Sequence, residues 1–118
     1  MKMRTICTAL IVPARTSEPV RVQNIDVGQR ALEDLVGGEI ETVTRGDWDV
    51  CLNSDGVIAN LPPNLRAAEL MRDCGLDLAD AARGTVVFLG RGTHGEPADA
   101  PGHLVKRAQD LYGARLAA

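Results

Sequence analysis

The stretch from Arg4 to Val12, RTICTALIV, is apolar or β-branched at both odd and even positions. A strand resting on one layer alternates apolar with polar residues, because successive side chains point to opposite faces. A run without that alternation has to be covered on both sides. This stretch therefore predicts a first strand that is central in its sheet. It also bears on a rival reading of the opening. Lys2 and Arg4, followed by an apolar stretch ending at Pro13-Ala14, have the outline of a secretory leader, but Thr5, Cys7 and Thr8 interrupt the apolar segment a leader needs.

Punctuation divides the rest of the chain. Val20 and Val22 alternate with Arg21 and Gln23, which predicts a half-buried strand returning as a hairpin. Asp26 is placed to cap a helix, with Gln29 three residues on to close a capping box. Ala31, Leu32, Leu35 and Val36 recur at helical spacing, and Gly37-Gly38 stops the helix. EIETV reads as a short strand, and Trp48, Val50 and Leu52 mark another by alternation. Asn53-Ser54-Asp55-Gly56 supplies a turn with positive φ expected at Gly56, after which Val57 to Ala59 are expected to run back as a second arm.

Leu61-Pro62-Pro63 is extended, since each proline fixes its own φ and pushes its predecessor out of the α region. Asn64 then caps a second helix, LRAAELMRDC, closed at Gly75 with Leu76 turning back onto Met71. GTVVFLG is the last expected strand. Asp99 and Pro101 open a final helix, about residues 101–116, with Leu104, Val105, Ala108, Leu111, Tyr112 and Leu116 as its apolar stripe. The predicted order is β-β-α-β-β-β-α-β-α: an α+β domain with a mostly antiparallel sheet and helices packed on it. At 118 residues, the whole chain, 1–118, is expected to form a single domain.

Composition limits what such a domain can do. Trp48, Phe88 and Tyr112 are the only aromatic residues, so the core has to be built from Val, Leu, Ile and Ala. A formal net charge of −3 gives no concentrated basic face for nucleic acid and too little acid for a DNA-mimicking decoy. Cys7, Cys51 and Cys74 form no C-x-x-C pair and leave an odd thiol, which points to a reduced cytoplasmic setting. No segment reaches the ~20 continuous apolar residues that span a bilayer, so no membrane partner is expected.

Gly90-Arg91-Gly92-Thr93-His94-Gly95 matches the G-x-G-x-x-G pattern of dinucleotide-binding turns. That turn needs a helix starting within it and a further parallel strand carrying an acid. Glu96-Pro97 blocks the helix and too little chain follows for the strand, so the segment reads as a surface loop. Arg91 and His94 on it can still close over an anion. A calcium loop aligned on Gly56 fails, because Cys51 and Pro62 would fill its first and twelfth ligand positions. His94 and His103, the only histidines, have no ligand spacing around them, so neither a metal nor a cofactor is expected. Glu39 and Glu41 share a strand face, where acid–base work competes with plain solvation. Lys106, Arg107 and Arg115 make the last helix locally basic, as a solvated face or a partner surface.

Three pieces taken together resemble a known family. VGGEIETV, the N-x-x-G of Asn53 to Gly56, and ANLPPN followed by AAEL and GTVVFLG are similar to uncharacterised small phage- and plasmid-borne proteins. Those carry VGG-x-IE, N-x-x-G, L-P-x-N-x-x-A-T and G-x-V-V-V-x-G motifs. The match spans about residues 20–92 and leaves the last helix outside. The matched positions are Val36, Gly37, Gly38, Ile40, Glu41, Asn53, Gly56, Leu61, Pro62, Asn64, Ala67 and Gly84. Ala68 stands where the family often has threonine. The resemblance implies a mobile-element origin and a bacterial cytoplasm, and no reaction.

The leading expectation is a non-enzymatic accessory protein that binds a host protein or another copy of itself. Its site is expected where Gly37, Gly38, Glu39, Glu41, Asn60 and Asn64 converge. The alternative is a binder of a nucleotide or other anionic small molecule. Backbone N–H groups at Gly37-Gly38 or at the Asn64 helix would form the cradle, with Arg66 and Arg91 adding charge-assisted bonds. A third reading is an enzyme using Cys51 or the Glu39/Glu41 pair. DNA binding ranks below all three.

Overall fold

The computed structural model describes residues 6–113 and the backbone of residues 115–116. The opening residues 1–5, which bear on the leader question, lie outside the described residues. Chain order is β1 (Ile6–Val12), β2 (Arg21–Asp26), α1 (Gln29–Val36), β3 (Ile40–Arg45), β4 (Trp48–Asn53) and α2 (Leu65–Asp73). A 3-10 turn (Ala79–Ala81), β5 (Val86–Arg91), β6 (Pro97–Ala98), α3 (Gly102–Tyr112) and β7 (Arg115–Leu116) follow. The strands form one sheet in the order β3-β4-β5-β1-β2-β7, with β6 beside β5. All pairings are antiparallel except β2 with β7. The class is the expected one: α+β, with a mostly antiparallel sheet and helices packed on it.

β1 is covered on both faces. Leu10 and Val12 join Val50, Leu52, Val86 and Phe88 beneath α2 and α3, which contribute Leu70, Met71, Leu104 and Ala108. Cys7, Ala9 and Ile11 point the other way and meet Leu32 and Val36 of α1, together with Cys51, Val87 and Leu89. Every residue of β4 is buried. Trp48 and Phe88 meet with ring centroids 5.8 Å apart and are the largest buried side chains in a core built mainly from aliphatics.

Several expectations are corrected. Val57 to Ala59 are not a strand arm. Residues 56–61 make one helical turn, with Leu61 N–H donating to Gly56 O at 2.9 Å and Asn60 N–H to Val57 O at 3.1 Å. These two bonds close a Schellman-type stop, and Asn60 takes the left-handed position at φ 54°. Three residues after a turn are too few for any periodicity to distinguish a returning strand arm from one turn of helix.

Gly56 does not take positive φ. It is small because a Cβ there would lie 3.1 Å from Arg83 Cβ. Asp26 is not the α1 cap, a place taken by Gly28; its Oδ1 accepts from Gly28 N–H at 2.8 Å, ahead of the helix. The final helix stops at Tyr112 with Gly113 left-handed, and Arg115–Leu116 instead pair with Arg21 and Val22. β6 and β7 are both two-residue strands, too short for a periodicity to register.

Candidate functional site

Antiparallel pairing brings the end of β1, the start of β3, the end of β4 and the start of β5 to one edge of the molecule. The loops there contain Gly37, Gly38, Gly56, Leu61, Pro62, Asn64 and Gly84 of the matched motif positions. Asn64 is buried and fully engaged. Its Nδ2 donates to Val12 O and Gly84 O, both at 2.8 Å, and its Oδ1 accepts from Ala67 N–H at 3.0 Å. One side chain thus caps α2 and ties it to β1 and to the approach of β5.

Asn53 does similar work on the opposite face. Its Nδ2 donates to Val36 O at 3.1 Å, capturing a terminal carbonyl of α1, and its Oδ1 accepts from Asp55 N–H at 2.8 Å. A Cβ on Gly38 would lie 3.0 Å from that Nδ2, so the second glycine of the Gly-Gly pair makes room for Asn53. Gly37 is the left-handed helix stop, with φ 83°. Gly37 and Gly38 N–H both donate to Glu33 O.

Among the remaining expected site residues, Glu39 is exposed and its carbonyl accepts from Ser54 N–H at 2.8 Å. Asn60 is exposed on the helical turn. Arg66 shares its Nη2 among Pro13 O, Arg15 O and Glu18 O, pinning the β1–β2 loop, while its buried Nε has no partner. Glu41 lies exposed along β3, the outer strand. Arg91 is at the opposite end of the sheet, with Nη1 donating to Thr44 Oγ1 at 3.1 Å and 4.0 Å from Asp49 Oδ1. Gly37, Gly38, Glu39, Asn60, Asn64 and Arg66 therefore share one end, and Arg91 does not belong with them.

The glycine pattern at 90–95 closes the β5–β6 hairpin, with Gly92 N–H donating to Glu96 O at 2.8 Å. Gly90 passes so close to the next segment that a Cβ would lie 2.0 Å from Asp99 O. The helix that follows begins only at Gly102. Burial pushes the Cys51 thiol up to about 11, with the nearby Asp49 charge adding to it and a contact to Thr42 opposing it. Such a thiol is protonated at neutral pH and a poor nucleophile.

Two surface features went unread in the sequence. Val57 and Ile58, on the helical turn, are 61% and 87% exposed, and Leu65 at the start of α2 is 75% exposed. Their apolar character was visible, but the strand assignment at 57–59 assigned it to a sheet. An open groove of about 330 Å³ also flanks α2, lined by Pro63, Leu65, Arg66, Glu69, Arg72 and Ala79. Ala68, which replaces the family's threonine, borders it too. Tyr112 Oη lies 2.9 Å from Arg66 O and against the Glu69 carboxylate, its one proton shared between them, and burial followed by the Glu69 carboxylate raises its pKa, so the phenol stays protonated.

A family model described as a domain of unknown function, DUF3846, matches residues 7–113. No curated protein matches the chain by sequence. Among solved structures, a crystal structure of small RNA methyltransferase HEN1 is similar, with a TM-score of 0.59 at 13% identity. The similarity covers 92% of this chain and 16% of that one, and at this identity it is a likeness of fold alone.

Proposed function

The chain belongs to the DUF3846 family, and we propose that it acts by binding a protein partner through the loop-lined end of its sheet. The observation that carries this reading is the exposed apolar tip. Val57 and Ile58 are adjacent on a turn fixed by its own hydrogen bonds, and Leu65 stands at the start of the neighbouring helix. Large apolar groups held rigidly in water are costly to a free protein and favourable to a complex. The Asn64 and Asn53 bonds hold this end rigid, which lowers the ordering cost of binding. The motif resemblance suggests that the partner is a protein of a bacterial host cell and that the chain is an accessory factor of a phage or other mobile element.

An anion-binding role has less in its favour. Gly37 and Gly38 N–H already donate to Glu33 O, Ala67 N–H is taken by Asn64, and Arg66 is committed to three carbonyls. What supports it is the groove beside α2, where Arg72 lies on the wall.

One experiment separates the two. Tagged wild type and a Val57→Asp/Ile58→Asp variant are used to recover partners from a bacterial host extract, and both are melted against a nucleotide panel. The expected outcome is a specific partner lost by the variant, with its melting temperature near that of wild type and no nucleotide shift. Equal recovery by both proteins would remove the tip from the proposal. A saturable nucleotide shift in both would favour the groove.

A further inference from the structure

The sheet's β3 edge carries a pattern complementary to itself. β3 is the outermost strand beside β4, and among the described residues no main-chain group bonds to its outer side. Its pairing with β4 runs from Ile40↔Asn53 to Arg45↔Trp48 without a slip, so no bulge twists the edge away. It also contains neither proline nor lysine, two usual guards of an open edge.

Which backbone groups face outward follows from the hairpin. Gly46-Asp47 is a two-residue loop with Gly46 at φ 60°, so Arg45 and Trp48 form a hydrogen-bonded pair. The Ser54 N–H to Glu39 O bond continues the same alternation. Glu39, Glu41, Val43 and Arg45 therefore turn their backbone groups toward β4, and Ile40, Thr42 and Thr44 turn theirs outward.

We propose that the chain forms a homodimer by antiparallel pairing of β3 with β3 of a second copy, with Val43 at the two-fold axis. In this register Thr42 and Thr44 of one copy exchange main-chain hydrogen bonds with Thr44 and Thr42 of the other. Glu41 lies directly opposite Arg45 of the second copy, and Arg45 opposite its Glu41. Glu41, Thr42, Thr44 and Arg45 are all exposed. Arg45 is held on its face of the sheet, its Nη2 2.9 Å from where a Cβ on Gly75 would stand.

The other registers that satisfy the outward groups fit less well. An axis at Thr44 sets Glu41 against Asp47. An axis at Thr42 sets Glu41 against Val43 and moves Arg45 opposite Glu39, outside the strand. The β3 surface is separate from the apolar tip, so either proposal can fail alone.

Sedimentation velocity on the full chain over a wide concentration range tests this. Wild type is expected to show a monomer–dimer equilibrium. Glu41→Arg and Arg45→Glu each replace both opposite-charge contacts with like-charge ones and should weaken it about tenfold or more. An equimolar mixture of the two variants should recover wild-type association as a heterodimer, because every contact is then again of opposite sign. Thr42→Pro, which removes an outward N–H that β4 does not use, should also give monomer. A wild type that stays monomeric throughout overturns the proposal. So do single variants that dimerise like wild type, and a mixture no tighter than its components.

Discussion

The two ends of the sheet handle polar side chains in opposite ways. At the loop-lined end, Asn53 and Asn64 are buried, and their amide Nδ2 groups donate to main-chain carbonyls of elements far away in sequence. At the hairpin end, polar side chains pair with each other instead of with main chain: His103 with Asp47 at 2.9 Å in water, and Arg91 with Thr44 at 3.1 Å, Thr44 in turn donating to the buried Asp49 at 2.6 Å. Both ends have polar clusters of similar appearance, yet only the first holds the layers together. A buried amide leaves unpaired partners behind when it is removed, whereas an exposed pair is replaced by water.

The largest effect that would test this contrast is at Asn64. Asn64→Ala strands Val12 O and Gly84 O and uncaps α2, and is expected to cost about 3–5 kcal/mol in denaturant unfolding. A loss below about 1 kcal/mol would mean that the loop end tolerates unpaired carbonyls and that the contrast fails. The next effect concerns fit. Gly38→Ala should cost about 1–2 kcal/mol in the wild type, because its Cβ presses on Asn53 Nδ2. The same change should cost measurably less in an Asn53→Ala background. A double-mutant cycle reads this coupling directly, and strict additivity would show that the two positions are independent. The smallest effect belongs to the hairpin end. His103→Ala, at a site where both partners are more than half exposed, should shift stability by no more than about 0.5 kcal/mol.

Much of the fold could be read because helix stops and caps leave local marks. Gly37 and Gly75 do adopt the left-handed conformation that ends α1 and α2, and Leu76 N–H does return to Met71 O at 2.8 Å. Asn64 was recognised as a cap, but its two bonds to Val12 and Gly84 were not. They join residues 52 and 20 positions away, and no spacing rule reports such distances.

The Val57–Ala59 assignment failed for the converse reason. The stop at Asn60 has a non-glycine residue at positive φ, so the sign that marked the other helix ends was absent. Gly37, Gly38, Glu39, Asn60, Asn64 and Arg66 gather at one end, whereas Glu41 lies along β3 and Arg91 at the other end. The roles of these positions were harder to read, since a glycine that makes room for an asparagine looks in sequence the same as one that leaves room for a ligand. Gly38 is the first kind.

Gly90 works as a spacer between β5 and the segment that leads into α3. With Asp99 O only 2.0 Å from where a first carbon would stand, no rotamer choice at position 90 relieves the contact, and any larger residue has to displace the strap that leads into α3. A relative with a bulkier residue there would be expected to carry a longer or re-routed strap, so length variation between positions 96 and 101 should track the identity of that single residue.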